Sequence, residues 1–283
     1  RLDPPPRLGR YPGELNELYW TARGLTAVIA PWNFPLAIPT GMVAAALVAG
    51  NPVLFKPSER SSALGYQLVQ IMLEAGVPKG VLQYIPGGPE LGRELVTSAA
   101  VRMIAFTGSK DVGLGIMQAA GVQQPGQRFV KRVIAEMGGK NAIIVDETAD
   151  LDEAVTGVAQ SFTGYAGQKC SACSRVIVVD SIHDAFVERL ADAVMSLRIG
   201  PADDPATQVG PVIDARAKQR ILDYLEIGRR EGRVLVDRSA EGPGHTVGPV
   251  VIADIEPAHR LAQEEIFGPI LAVMRAASFE QAL

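Results

Sequence analysis

Cysteine and histidine are scarce in this sequence. Two cysteines and three histidines occur among 283 residues, which argues against a disulfide scaffold and for a reducing compartment. The cysteines form a single Cys-x-x-Cys, Cys170 to Cys173, a spacing that a redox pair or half of a zinc site also has. Zinc requires two further ligands, and the histidines at positions 183, 245 and 259 lack metal-ligand spacing. We therefore expect no metal site.

An excess of one charge and long apolar runs are lacking as well. The 27 basic and 31 acidic residues are well mixed and give a net charge of −4, so nothing favours a nucleic acid or an anionic membrane surface as partner. The longest apolar stretch, about residues 42–49, is far too short to span a bilayer. The first residues also lack the apolar core of a signal peptide. We expect a cytoplasmic protein.

Short apolar, β-rich runs alternate with segments of helical spacing along most of the chain. Strands are expected at residues 25–30, 53–56, 81–85, 103–107, 132–136, 141–145 and 176–179, and helices at 39–49, 61–75, 89–98, 110–120, 151–161, 183–197 and 215–230. Two late apolar runs follow at 250–253 and 270–274. This alternation predicts an α/β fold with a mostly parallel sheet. The apolar helix at 39–49 is expected to be buried. The paired glycine Gly138-Gly139, which permits a bend, is the expected domain boundary.

The two ends of the chain differ from this pattern. Residues 4–22 alternate in polarity among prolines and glycines, which favours an extended hairpin or arm, with a disordered leader as the alternative. The chain has no initiator methionine and stops inside an apparent helix start at 278–283. We therefore expect a fragment of a longer protein.

Polar residues follow the predicted strands, where parallel α/β sheets bind their ligands. Lys56 and Glu59 follow one strand, and such an acidic residue binds ribose hydroxyls, unless the two form a solvated pair. The segment 107–113 offers either backbone N–H groups to a phosphate or a simple tight turn. Asn33 is a candidate oxyanion donor or a turn asparagine. Glu136 is a candidate general base whose pKa burial would tune.

The segment from Gly167 to Arg175 holds both cysteines among small and polar residues. Buried structural cysteines usually have apolar neighbours, whereas reactive ones occupy partly exposed loops with donors nearby. Cys170 is therefore a candidate nucleophile. A papain-like pairing lacks a convincing histidine.

Six motifs together closely resemble the aldehyde dehydrogenase superfamily in order and spacing. They are Pro31-Trp-Asn-Phe-Pro35, Lys56-Pro-Ser-Glu59, Phe106-Thr-Gly-Ser109, Glu136-Met-Gly-Gly-Lys140, Gly167-Gln-Lys-Cys170 and Glu264-Glu-Ile-Phe-Gly-Pro269. Each motif alone is weak, whereas six in register across nearly the whole chain are specific. The segment 168–175 looks most like the branch that oxidises 1-pyrroline-5-carboxylate (glutamate semialdehyde), which also occurs as the C-terminal part of bifunctional proline-utilisation enzymes.

The resemblance implies a Rossmann-type cofactor domain with a parallel sheet and a second α/β catalytic domain. Residues 1–23 resemble the oligomerisation hairpin, 24–137 the NAD-binding domain without its N-terminal part, and 138–283 the catalytic domain without its C-terminal part. Family members are longer at both ends, so we expect poor activity from these residues alone. The implied partners are a small aldehyde, further copies of the chain and, in the bifunctional case, a proline dehydrogenase domain.

The same resemblance assigns chemical roles. Cys170 is the nucleophile, Asn33 helps to hold the oxyanion, and Glu136 activates the hydrolytic water. Ser171, directly after the nucleophile, helps to hold a substrate carboxylate. Cys173 is expected to be a packing residue.

The implied cofactor is NAD, which the acidic Glu59 favours over NADP. Gly108 and Ser109 correspond to the pyrophosphate region, and Glu265 and Phe267 to the nicotinamide ribose. The full set of implied cofactor contacts is Trp32, Lys56, Ser58, Glu59, Gly88, Gly92, Phe106, Thr107, Gly108, Ser109, Glu265 and Phe267. Three alternatives stay open: oxidation of another small aldehyde, an inactive fragment that retains the fold for assembly, and a cysteine thiol-acyltransferase.

Overall fold

The alternating strands and helices build two five-stranded sheets. The computed structural model describes residues 5–9 and 11–283, and these fall into two units, the first ending at Met137 and the second beginning at Gly138. A short antiparallel hairpin, β1 (Arg7–Leu8) with β2 (Asn16–Glu17), precedes the first sheet. Residues 1–4 and 10 of the predicted arm lie outside the described residues.

The first sheet is wholly parallel. Its strands are β3 (Thr26–Ile29), β4 (Val53–Lys56), β5 (Leu82–Tyr84), β6 (Met103–Thr107) and β7 (Arg132–Glu136), and the helices between them are α1 (Ala37–Val48), α2 (Ser62–Glu74), α3 (Pro89–Thr97) and α4 (Lys110–Gly121). The strand order is β5-β4-β3-β6-β7. The chain therefore leaves the central strand β3 first to one side and then to the other.

Helix α1 is less buried than its composition predicts. Pro39, Val43 and Ala46 are buried, whereas Val48 is 88% exposed. The buried residues follow i, i+4, i+7 spacing, which is one face of a helix. The prediction of a buried helix was wrong because a helix that is apolar all round still turns only one face to the sheet.

The second sheet mixes parallel and antiparallel pairs. Its elements are β8 (Ala142–Val145), α5 (Leu151–Thr163), β9 (Arg175–Val179), α6 (Asp180–Met195), α7 (Ala215–Glu231), β10 (Arg233–Asp237), β11 (Val250–Ala253), α8 (Arg260–Gln263), β12 (Ile270–Ala276) and α9 (Phe279–Ala282). The order is β10-β11-β12-β9-β8, and β10 pairs antiparallel with β11. Asp150 and Asp214 cap α5 and α7 through their side chains.

Two elements of the second unit were missed. Strand β10 has only three apolar residues between charged ends, and a single glycine separates it from α7. Helix α8 is one turn long. Periodicity needs longer segments than these to give a signal. Within residues 5–9 and 11–283, no helix is both long enough and apolar enough to cross a membrane.

Candidate active site

A cavity of about 650 Å³ opens at the carboxyl ends of β3, β4 and β6 in the first unit. This is the position where the strand order reverses, and crevices form there because neighbouring crossovers run to opposite sides. Ten residues predicted as cofactor contacts line this one cavity: Trp32, Lys56, Ser58, Glu59, Gly88, Gly92, Phe106, Thr107, Gly108 and Ser109. The fold thus gathers residues from four separate segments.

Two helix N-termini face the cavity. Gly88 and Ser109, which both line it, are the N-cap residues of α3 and α4. Among the described residues, neither makes a side-chain capping hydrogen bond, so the first N–H groups of both helices keep their donor capacity. A helix N-terminus attracts anions through these donors and through the helix dipole. The cavity therefore suits a ligand that carries phosphate.

Part of the cavity lining is apolar. Val96, Val112, Ile116 and Ala119 line it, and the last three follow i, i+4, i+7 spacing on α4. Sequence reasoning missed these residues, although the spacing was a usable signal. An apolar lining together with anion-binding helix ends has the chemistry that a nucleotide requires, because a nucleotide combines a flat base with phosphates.

Lys56 and Glu59 differ in their surroundings. The Lys56 side chain ends β4 in a buried position, with 8% of its surface exposed, and its ammonium donates to the Pro57 carbonyl oxygen at 3.4 Å. Burial lowers the pKa of Lys56, and Glu59 opposes that shift. Glu59 itself is exposed. The alternative of a solvated pair is therefore wrong for the lysine.

Asn33 and Glu136 also belong to the first unit. Asn33 lies in the turn after β3 and is buried, with 8% of its surface exposed. Glu136 ends the edge strand β7, and its backbone oxygen accepts a hydrogen bond from the Gly108 N–H at 3.0 Å. Glu136 is exposed rather than buried. The expected burial of this carboxylate is therefore not seen, because an edge strand leaves its outer side open.

The cysteine loop begins with three consecutive left-handed residues in the second unit. Tyr165, Ala166 and Gly167 have φ values of 58°, 53° and 70°. Left-handed backbone costs a residue with a Cβ about 1–2 kcal/mol. Gly167 has a second requirement, since a Cβ there would lie 2.5 Å from the Gly268 carbonyl oxygen. The turn brings the chain out of α5 and directs it to Cys170.

Asn141 holds the cysteine loop in place. Its side-chain amide donates to the carbonyl oxygens of Cys170 at 2.6 Å and Ala172 at 3.0 Å. Its own carbonyl accepts from the N–H groups of Ser174 and Arg175. Sequence reasoning missed this role, because it depends on contacts about thirty residues apart.

Gln168 ties the start of the loop to another segment. Its amide nitrogen donates to the Tyr165 carbonyl at 3.1 Å, and its amide oxygen accepts from the Ile213 N–H at 2.8 Å. The side chain is buried, with 2% of its surface exposed. The residue stands in the quoted Gly-Gln-Lys-Cys motif, but the sequence alone suggested no role for it.

The two cysteines occupy opposite environments, and both thiols are free. Cys170 is exposed, as is Ser171 beside it. Cys173 packs in the core of the second unit, its N–H donates to Ser161 Oγ at 3.0 Å, and burial raises the pKa of its thiol to about 11. Only Cys170 is available to a reagent or substrate in solution.

Glu265 lies directly against the start of the second unit. Its carboxylate fills the space above Gly138, where any Cβ would overlap it, and accepts a hydrogen bond from the Gly139 N–H. Burial raises the pKa of Glu265, while Gly139, Arg220 and Lys140 counteract the shift. Phe267, two residues on, has a left-handed φ of 57°.

The chain is similar to known proteins along nearly its whole length. The profile of the aldehyde dehydrogenase family matches residues 5–283. The 1-pyrroline-5-carboxylate dehydrogenase of Geobacillus thermodenitrificans is 46% identical over 274 residues, which cover 96% of this chain and 53% of the relative. The chain thus spans about half the length of the curated relatives it matches.

Solved structures agree with this similarity. The crystal structure of proline utilization A from Bdellovibrio bacteriovorus, inactivated by N-propargylglycine, superposes with a TM-score of 0.94 at 49% identity and covers 100% of this chain and 30% of that one. The 1-pyrroline-5-carboxylate dehydrogenase from Thermus with bound NAD gives a TM-score of 0.93 at 44% identity, with 97% and 54% covered.

Proposed function

The chain belongs to the aldehyde dehydrogenase family, and from this premise we propose that it serves the NAD-dependent oxidation of an aldehyde to a carboxylic acid. The observation that carries the proposal is the cavity in the first unit, in which ten residues chosen for a nucleotide cofactor converge. The proposed substrate is L-glutamate 5-semialdehyde, the open form of 1-pyrroline-5-carboxylate, and the proposed product is glutamate.

NAD fits the residues that are present. Lys56 and Glu59 are proposed to contact the adenosine ribose, and the start of α4 at Ser109 the pyrophosphate. The exposed carboxylate of Glu59 would repel a 2′-phosphate, which favours NAD over NADP. In the second unit, Glu265 and Phe267 are proposed for the nicotinamide ribose. When bound, the cofactor supplies the hydride acceptor.

The proposed chemistry begins at Cys170. Its thiolate attacks the aldehyde carbon and forms a hemithioacetal, whose oxyanion accepts hydrogen bonds from the Asn33 amide and the Cys170 N–H. Loss of hydride from that carbon leaves a thioester on Cys170. Glu136 then takes a proton from water, the hydroxide adds to the thioester, and the acid leaves with the thiol restored. The exposure of Cys170 and the fixing of its loop by Asn141 support this role.

The choice of substrate rests on Ser171 and on the relatives. Ser171 is exposed beside Cys170, and its hydroxyl is proposed to hold the carboxylate of the semialdehyde. The relatives that carry the name 1-pyrroline-5-carboxylate dehydrogenase share up to 46% of their aligned residues with this chain. They support the same substrate here.

Assembly is part of the proposal. Residues 1–23 are proposed as an oligomerisation arm, 24–137 as the NAD-binding domain and 138–283 as the catalytic domain. Tyr11, Leu15, Tyr19 and Trp20 on the described part of the arm are each more than 60% exposed, as a surface that covers another copy would be. The similarity to proline utilization A supports a fused proline dehydrogenase domain as a further possibility for the complete protein.

The decisive experiment measures NADH formation by the complete protein that contains these residues, and by its Cys170→Ser variant. We expect the variant to lose at least about 10³-fold in turnover while NAD affinity stays the same, because an alcohol is a far weaker nucleophile than a thiolate. Cys173→Ser is the matched control and should keep turnover. Full activity in Cys170→Ser would exclude the proposed nucleophile.

The substrate is tested with the same protein. Turnover of glutamate semialdehyde should exceed that of propanal and succinate semialdehyde. A strong preference for propanal would replace the proposed substrate with another small aldehyde. Absence of both NAD binding and turnover would instead favour a chain that retains the fold for assembly.

A further inference from the structure

Lys140 carries a buried ammonium that lacks a hydrogen-bond partner in the part of the chain that the structure describes. A second buried lysine, Lys131, differs in having hydrogen-bond acceptors. Its ammonium donates to the carbonyl oxygens of Val96 at 2.5 Å and Ser98 at 2.7 Å. Lys131 closes the end of a helix and is explained by that contact. Burial of a cation without such hydrogen-bond acceptors is costly, so Lys140 requires another explanation.

The charged neighbours of Lys140 show which anions can stabilise its ammonium. Arg175 is a like charge, whereas Cys173, Glu264 and Glu265 are the groups whose anions would stabilise the ammonium. Cys173 stays a neutral thiol near pH 7, because burial raises its pKa to about 11. That leaves the two carboxylates.

Glu264 already has its own partners. The Arg260 guanidinium donates to it at 2.8 and 3.0 Å and the Tyr224 hydroxyl at 2.7 Å, and these bonds lower its pKa to about 2. Glu265 instead has a backbone donor, Gly139, and lies where burial disfavours its charge. Arg220 and Lys140 are the cations that offset this burial. Lys140 follows Gly139 directly, so one short segment supplies the space, the donor and the charge for Glu265.

We propose that Lys140 is a positioning residue for the cofactor site, whose buried ammonium attracts the Glu265 carboxylate and holds it beside Gly138-Gly139, so that the carboxylate can accept hydrogen bonds from the hydroxyls of the nicotinamide ribose. The inference rests on the proposed function, because it takes Glu265 as a ligand of that ribose. An ionised carboxylate offers only acceptors, which matches a pair of hydroxyl donors. Lys140 acts through Glu265 and does not touch the ligand.

The test compares three ligands by calorimetry on this chain. NAD⁺ and ADP-ribose both carry the distal ribose, whereas ADP lacks it. We expect Lys140→Met to weaken the binding of NAD⁺ and ADP-ribose about tenfold, the effect of losing one electrostatic contact, and to change ADP binding less than twofold. Lys79→Met removes an exposed lysine of the first unit and is the matched control, which should change none of the three.

A double-mutant cycle separates positioning from general damage. If Lys140 acts through Glu265, then Lys140→Met should have no further effect on NAD⁺ affinity in a Glu265→Gln background. Independent losses in the double variant, or an equal loss for ADP, would overturn the inference. If the wild-type chain binds ADP and NAD⁺ and Lys140→Met leaves both affinities unchanged, this inference alone is refuted. If the wild-type chain binds neither ligand, the proposed function is refuted as well.

A pH titration of the wild type provides a readout that does not depend on the variant folding. Burial and Arg175 lower the pKa of Lys140 to about 8, so the ammonium is charged below pH 8 and is lost above it. Between pH 7 and 9, Cys173 stays neutral and Glu264 stays ionised. The affinity ratio of ADP-ribose to ADP should therefore fall about tenfold as the pH rises through 8. A constant ratio would overturn the inference.

Discussion

The cavity of the first unit and the cysteine loop of the second are built by opposite means. Ends of regular strands and helices form the cavity, and its place follows from the reversal of strand order at β3. The cysteine loop has no regular structure and depends on left-handed backbone and on side-chain amides from distant segments. A binding surface can therefore follow from topology alone, whereas the presentation of a single nucleophile needs specific long-range contacts.

Gly167→Ala should have the largest effect on stability, because it changes the left-handed backbone on which the cysteine loop depends. The alanine must adopt φ near 70° and place its Cβ against the Gly268 carbonyl, so we expect a loss of about 3 kcal/mol in the free energy of unfolding, measured in urea. Gly157→Ala is the matched control, because position 157 is an exposed site on α5 where a Cβ meets open space. It should stabilise by about 0.5–1 kcal/mol. Equal effects of the two changes would contradict the steric argument.

Asn141→Ala should have the next largest effect. It leaves the carbonyl oxygens of Cys170 and Ala172 without their side-chain donor, which costs about 2 kcal/mol in the free energy of unfolding. Asn16→Ala, in the exposed hairpin, should cost less than about 0.5 kcal/mol in the same measurement. A loss no greater than that of the control would mean that the loop holds its shape without Asn141.

Glu59→Gln should have the smallest effect and act on ligand preference alone. Loss of the carboxylate removes the repulsion of a 2′-phosphate, so the ratio of NADP to NAD affinity should rise about tenfold, or about 1.4 kcal/mol. Calorimetry measures both ligands, and thermal unfolding should stay unchanged because Glu59 is exposed. Glu74→Gln, an exposed acid at the end of α2, is the control. An unchanged ratio would remove Glu59 from the proposed discrimination.

The sequence predicted the regular parts of this chain well because they follow local rules. Strands β4, β6 and β7 have the predicted bounds, and Asp150 and Asp214 cap the predicted helices. Residues placed after strands converge on one cavity, since parallel strands end at the same edge of a sheet. Periodicity and strand order predicted where such residues lie, whereas their roles as cofactor contacts were implied by the family resemblance.

The supporting contacts were not predictable in the same way. Asn141 and Gln168 act on atoms 29 to 45 positions away along the chain, and no local pattern records such a partner. The burial of the Lys140 ammonium could likewise not be predicted from a motif that only contains a lysine. The roles of Cys170, Glu136, Asn33 and Ser171 stay predictions, which the experiments above address.

The sequence and the structure give different reasons why position 138 is a glycine. Its glycine was interpreted as permission for a bend, yet its backbone is not in the left-handed region, whereas Gly167 is. What the position requires is empty volume, because the Glu265 carboxylate occupies the place of a Cβ. Positions 138 and 265 should therefore change together in evolution or not at all: a side chain can enter at 138 only in a lineage that has shortened the acid at 265.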